Sequence, residues 1–256
     1  MIPKIIHYCW FGGNPLPELA VRCIDSWKKH FPNYVIKEWN ESNFDINCCY
    51  YVKEAYNAKK WAFVSDYARF WILYHEGGIY FDTDVEVIKD MSNIISKGAF
   101  MGCEPTHICA GLNLAVNPGL GLGSPPGLGL YREILDFYNS SHFIDENGTL
   151  CEKTVVEYTT DILIKYGLAC TNNVQRLDCG GQIIIIYPPE YFCPLNCETG
   201  KMMITEKTVS IHHYTASWLS KLDKLIAFWK YSNAGDKIQK NISVRYLKSI
   251  IKIVQE

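Results

Sequence analysis

Gly77-Gly78-Ile79-Tyr80-Phe81-Asp82-Thr83-Asp84-Val85-Glu86-Val87 is the stretch on which the reading of this chain turns. Ile79, Tyr80 and Phe81 are β-branched or aromatic and read as a short buried strand entered through a glycine pair. Asp82 and Asp84 follow at its end. Two carboxylates where an apolar strand emerges are costly unless something positive meets them. Hard divalent cations take oxygen ligands, and Mg²⁺ or Mn²⁺ uses one or two carboxylates together with substrate phosphates. The spacing therefore fits a metal–diphosphate site; an acidic turn after a strand has the same spacing. The neighbourhood has to decide.

Upstream, Trp61, Val64, Ala68, Trp71, Ile72 and His75 recur with a helical period, which predicts a helix from about Trp61 to His75. Asp66 and Arg69 stand three apart and so project from one side of it. They read either as an intrahelical ion pair or as a pair facing a ligand. Gly77-Gly78 ends the helix and releases the chain directly toward Asp82. In open α/β sheets ligands bind beyond the carboxyl ends of the strands, which favours the second reading.

The amino-terminal part alternates in the same way. Lys4 to Trp10 reads as a buried strand, Phe11-Gly12-Gly13-Asn14-Pro15 as a loop, Pro17 to Phe31 as a helix and Tyr34 to Trp39 as a second strand. Residues 47–60 read as helical. Strand, helix, strand, helix predicts an α/β fold with a central, mainly parallel sheet flanked by helices. Phe100 to Glu104 could be a further strand. Ala110 to Pro126, rich in glycine and proline, reads as a surface loop and carries no phosphate-binding fingerprint. Leu128 to Tyr138 and Thr154 to Tyr166 read as helices, and Ile183 to Tyr187 as a buried strand. Val209 and Ile211 look like a strand with His212 and His213 at its end. Alternation sends the two imidazoles to opposite faces, so at most one would be a direct metal ligand.

Composition narrows the classes. The chain has 256 residues, a formal net charge of −2 and 48% hydrophobic residues, which suits a substantial core and no nucleic-acid partner. Eleven cysteines without a C-x-x-C pair argue against structural zinc. With no secretory signal before the first strand, they lead one to expect a reducing cytoplasm. No run of about 18 apolar residues is present to span a membrane. Residues 221–256 hold eight basic and three acidic residues, and Leu247, Ile250, Ile251 and Val254 line up at helical spacing. This predicts a basic helical extension after a catalytic domain of residues 1–220. The extension either docks on the core or lies on the inner face of an anionic membrane as a peripheral contact.

Together, Ile2-Pro3-Lys4-Ile5-Ile6-His7 with Trp10-Phe11-Gly12, Ser65-Asp66-Tyr67-Ala68-Arg69, Gly77 to Asp84, and His212-His213 with Ser217-Trp218 resemble glycosyltransferase family 32. That group of DXD sugar-binding enzymes includes capsular polysaccharide and lipopolysaccharide glycosyltransferases and fungal mannosyltransferases. It is similar to the catalytic domains of clostridial glucosylating toxins. The likeness is close over residues 2–87 and looser over 183–218. It implies a GT-A fold, a nucleotide-sugar donor such as a UDP-sugar, Mn²⁺ or Mg²⁺, and transfer to a glycan or lipid-linked glycan with retention of configuration. Carried over, Asp84 binds the metal and Asp82 contacts both sugar or ribose and metal. Asp66 and Arg69 hold sugar hydroxyls, and Trp10, Phe11, Gly12 and Tyr80 line the donor pocket. Trp218 closes over the diphosphate, and His213, the better match to the family pattern, completes the metal site. Two other classes compete. A Mg²⁺-dependent phosphatase could use Asp82 and Asp84 as nucleophile and acid, but leaves Arg69 and the histidines unexplained. A non-catalytic nucleotide-sugar-binding module would not need both aspartates.

Overall fold

A computed structural model of the chain describes residues 1–105, 114–151, 153–196 and 201–215. The expected extension at 221–256 and Trp218 lie outside them. The elements follow in chain order as β1 (Ile5–Cys9), α1 (Glu18–His30), β2 (Val35–Trp39), α2 (Tyr50–Asn57), α3 (Trp61–Glu76), β3 (Gly78–Tyr80), β4 (Val85–Val87) and α4 (Ser92–Ile95). Next come β5 (Ala99–Pro105), β6 (Leu114–Val116), β7 (Leu122–Ser124), α5 (Gly129–Asn139), α6 (Val155–Lys165), β8 (Gln175–Asp178), β9 (Ile183–Tyr187), α7 (Pro189–Phe192) and β10 (Ser210–His212). All of these elements belong to one compact unit, Met1–Leu195 with Met202–Tyr214.

Strands order β2-β1-β3-β7-β5-β9-β8, with β6 paired on β5. β1 runs parallel to β2 and β3, and β5 parallel to β9; β7 is antiparallel to both β3 and β5, and β8 to β9. Five of the seven strands on this path therefore point one way, the expected α/β architecture with a mainly parallel sheet. Two apolar clusters, one on α3, α5 and α6 and one around Trp27, Phe81 and Phe192, cover it. Among the described residues no helix is long and apolar enough to cross a membrane.

The glycine-rich stretch departs from expectation. Within the part read as a surface loop, β6 and β7 are strands, and β7 sits fully buried in the middle of the sheet. Glycine is what makes this possible: a Cβ on Gly123 would come within 2.5 Å of the Phe100 ring. Rings from neighbouring strands fill the space that side chains would otherwise occupy.

The helix-to-strand turn that delivers Asp82 also depends on glycine. Gly77 and Gly78 have φ of +65° and +103°, and a Cβ on Gly78 would lie 2.7 Å from the Ile5 carbonyl oxygen and 2.9 Å from His7 Nε2. His7 fastens this junction from β1. Trp39 Nε1 donates to its Nδ1 at 3.0 Å, and its Nε2 lies 2.9 Å from the Gly77 carbonyl, so the ring is the neutral Nε2–H tautomer. Burial lowers its pKa to about 4.

Candidate active site

Asp82 and Asp84 leave the end of β3 in a turn closed by Val85 N–H donating to the Asp82 carbonyl at 3.1 Å. β4 then pairs antiparallel with β10, with His212 opposite Val85. Trp27 Nε1 donates to the Val85 carbonyl at 2.8 Å, which ties this ribbon to α1. The His213 N–H donates to the Asp84 carbonyl at 3.0 Å. That register sets His212 beside the aspartates: its Nε2 is 3.1 Å from Asp84 Oδ1. One ligand atom from each of Asp82, Asp84 and His212 lies within 4.8 Å of the others.

The histidines do face opposite ways, but with the reverse assignment to the one favoured from sequence. His213 points away, its Nε2 2.9 Å from Glu86 Oε2, so His212 and not His213 joins the aspartates. The family pattern selected the wrong neighbour because strand register, which that pattern does not carry, decides which face meets Asp84. Burial disfavours the His212 cation, yet Asp84, Asp82 and Glu104 together pull its pKa upward. Among the described residues its Nδ1 is buried without a hydrogen-bond partner. Two carboxylates and an imidazole on one small volume form an oxygen-dominated donor set that suits Mn²⁺ or Mg²⁺.

Asp66 and Arg69 join the same cluster. Arg69 Nη2 lies 2.8 Å from Asp66 Oδ1 and 3.3 Å from Asp82 Oδ1, and the guanidinium sits 4.9 Å from the centre of the Tyr80 ring. Tyr80 donates its hydroxyl to Asp82 Oδ1 at 3.0 Å. α3 is apolar on most sides, so these two charges are buried and compensate each other. Burial opposes the Arg69 charge, and Asp82, Tyr80 and Asp66 outweigh it, leaving the pKa above its usual range. Asp66 rises to about 7, first through burial and then through Asp82, with Arg69 opposing.

The amino-terminal loop is less uniform. β1 and β3 are neighbours in register, His7 opposite Tyr80, so Trp10 and Asp82 leave the same end of the sheet. Trp10 is half-buried, its Nε1 donating to the Asn14 carbonyl at 2.6 Å. Gly12 donates its N–H to Glu41 Oε1 at 2.7 Å, and its Cα faces the Trp61 indole. Phe11 is turned into the core against Phe44, with ring centres 5.8 Å apart, and offers no side chain to a ligand.

Sequence reading passed over Glu104, Asn117, Gly119 and Tyr214. Asn117 Nδ2 and the Tyr214 hydroxyl both donate to Glu104 Oε2, at 2.7 and 2.9 Å. The Tyr214 ring lies edge-on to His212 at 4.2 Å. A Cβ on Gly119 would overlap Asp82 Oδ2. No local signal marks Glu104; its partners are 13 and 110 residues away.

Residues 17–101 match the family model described as the glycosyltransferase sugar-binding region containing DXD motif. The chain is 29% identical over 111 residues to inositol phosphoceramide mannosyltransferase 1 of Schizosaccharomyces pombe. That alignment covers 39% of this chain and 33% of the relative, so the chain matches about a third of that protein's length. Among solved structures, the PaToxG glycosyltransferase is 19% identical with a TM-score of 0.48, over 64% of this chain and 69% of that one. A glycosyltransferase involved in the glycosylation of the major capsid of PBCV-1 is 14% identical with a TM-score of 0.43, over 83% and 95%.

Proposed function

We propose that this chain, whose residues 17–101 carry the sugar-binding region of the DXD-containing glycosyltransferase family, is a metal-dependent glycosyltransferase. It moves a sugar from a nucleoside diphosphate donor to a glycan or lipid-linked glycan acceptor. The observation that carries this reading is the convergence of Asp82, Asp84 and His212 within 4.8 Å, beside the buried Arg69–Asp66 pair. Neither competing class accounts for that arrangement. A phosphatase using Asp82 as nucleophile leaves the buried Arg69–Asp66 pair and His212 without a role, and a passive binding module would not need both aspartates.

Asp82, Asp84 and His212 would hold Mn²⁺ or Mg²⁺. When bound, the ion supplies Lewis-acid neutralisation of the charge that grows on the departing diphosphate. Arg69, fixed by Asp66 and the Ser65 carbonyl, presents a rigid cation next to Asp82. Asp66, buried and paired with Arg69, can accept from a sugar hydroxyl and so orient the donor. Trp10 offers an indole at the same sheet end for the nucleoside. The anomeric carbon exchanges its bond to the phosphate oxygen for one to the acceptor oxygen, and the acceptor proton leaves. The resemblance to retaining enzymes supports a same-face course in which the leaving phosphate takes that proton. The donor is first sought among UDP-sugars; the mannosyl transfer in the relative's name makes GDP-mannose the second candidate.

Calorimetric titration with UDP- and GDP-sugars, with Mn²⁺ and again with EDTA, tests the reading. One donor is expected to bind only with metal, and Asp84→Ala to abolish that binding. Binding of no donor by the folded protein would overturn the transferase. A peripheral contact of residues 221–256 with anionic membrane is part of the same proposal. Equal co-sedimentation of the full chain and a chain ending at Ser220 with phosphatidylserine vesicles would remove it.

A further inference from the structure

Three observations around Glu104 belong together. First, one oxygen of its carboxylate, Oε2, accepts from both Asn117 Nδ2 (2.7 Å) and the Tyr214 hydroxyl (2.9 Å). Second, each donor leads to a different member of the metal-site triad. Asn117 Oδ1 accepts from the Gly119 N–H at 2.7 Å, and Gly119 is pressed so closely on Asp82 that a methyl there would overlap Oδ2. The Gly119 carbonyl also accepts from the Asp82 N–H at 3.2 Å. On the other side, the Tyr214 ring packs edge-on against His212 with centres 4.2 Å apart. Third, Tyr214 has φ of +49°, a backbone conformation that non-glycine residues adopt rarely and that needs support from outside.

We propose that Glu104 is the positioning residue of this site: through Asn117 it seats the Gly119 turn against Asp82, and through Tyr214 it holds the His212 ring. The proposal rests on the metal reading above. Glu104 is outside the group whose ligand atoms converge, so it acts through its two partners and does not bind the ion itself. Outer partners that orient metal ligands change affinity by about 10- to 100-fold when removed. β5 reaches this point because Glu104 lies near its end, and the pairing of Glu104 with Ala115 of β6 brings Asn117 alongside. Tyr214 arrives from the chain just after β10. One carboxylate thus joins two segments more than ninety residues apart in sequence at the point where both touch the triad.

The role makes a distinction that substitution can read. Glutamine keeps a carbonyl oxygen with two lone pairs, so it can accept from both Asn117 and Tyr214 while losing the charge; alanine loses both bonds. The experiment is Mn²⁺ binding to the full-length protein without donor, by calorimetry or by the loss of the free-ion electron paramagnetic resonance signal. Thermal unfolding of each variant is recorded alongside. Glu104→Ala is expected to weaken Mn²⁺ at least about tenfold, and Glu104→Gln to stay within about threefold of wild type. Tyr214→Phe, which removes the hydroxyl that bonds both Glu104 Oε2 and Cys193 Sγ, falls between them and carries the test if Glu104→Ala does not fold, with Cys193→Ala as the control for the sulfur contact. Unchanged affinity in Glu104→Ala or Tyr214→Phe would overturn the proposal. So would a Glu104→Gln as weak as the alanine variant, since charge rather than positioning would then be at work. In either case the metal site itself stands, because wild type still binds. A wild-type protein that binds no Mn²⁺ would overturn the metal reading and this proposal together.

Discussion

His7 should make the protein sensitive to mild acid in a way that one substitution removes. The imidazole is fully buried, with Nδ1 occupied as an acceptor by Trp39 and Nε2–H donated to Gly77, so the fold holds it neutral. Desolvation dominates the fall of its pKa to about 4; the Gly77 carbonyl and Glu76 oppose it and Lys37 assists. In the unfolded chain the same group titrates near its ordinary value of about 6.5. The neutral form is thus favoured by folding, and the unfolded state binds the proton first as the pH drops. The contribution is fully present above about pH 6.5 and is lost progressively toward pH 4. At about 1.36 kcal/mol per unit the whole difference is about 3 kcal/mol, of which about 2.5 kcal/mol is lost between pH 7 and pH 4.5.

The assay is urea unfolding followed by tryptophan fluorescence at those two pH values, on wild type and on His7→Gln. Glutamine can donate to Gly77 but cannot titrate. The variant will be less stable at pH 7 because it fits the Trp39 indole less well. Its loss on acidification should nevertheless be smaller than that of wild type by about 2.5 kcal/mol. All other carboxylates and histidines titrate equally in both proteins, so the difference isolates this ring. If the two proteins lose the same stability between pH 7 and pH 4.5, the neutral, doubly bonded His7 is wrong.

Two glycine substitutions separate stability from function. Gly78→Ala would set a methyl against the Ile5 carbonyl and His7 at a φ of +103°, a region nearly closed to alanine, and should cost about 3 kcal/mol or more, read as a fall in the urea midpoint. A midpoint within experimental error of wild type would contradict the close approach of β1 to the Gly77-Gly78 turn. Gly119→Ala meets an unstrained backbone but pushes on the Asp82 carboxylate, whose bonds to Tyr80 and Arg69 must then lengthen. Its stability cost should stay at about 1–3 kcal/mol while Mn²⁺ affinity falls by roughly tenfold. Undiminished Mn²⁺ binding in a folded Gly119→Ala protein would show that the Gly119 turn does not bear on the metal site.

What could be read from sequence, and what could not, divides along one physical line. α3, the glycine pair and β3 were legible because each rests on contacts within a few residues: a helical stripe, a left-handed turn, a β-branched run. Asp66, Arg69, Asp82 and Asp84 follow from that local frame, since a helix that ends at Gly77 and a strand that starts at Gly78 leave little freedom in where they meet. β7 was not legible, because Gly123, and Gly121 just before the strand, are small to accommodate Phe100 of β5 and Phe81 just after β3, and that demand is written in the partners rather than in the segment. His212 and His213 show the boundary within a single dipeptide. Alternation predicts that they diverge, a local property, whereas which of them meets Asp84 depends on the pairing of β10 with β4 across more than 120 residues. Glu104 lies wholly on the far side of that line: an isolated acid in an apolar strand, given meaning only by Asn117 and Tyr214. In the proposed role of Glu104, the part of this site hardest to read in the sequence is the part that decides how firmly the legible aspartates hold their ion.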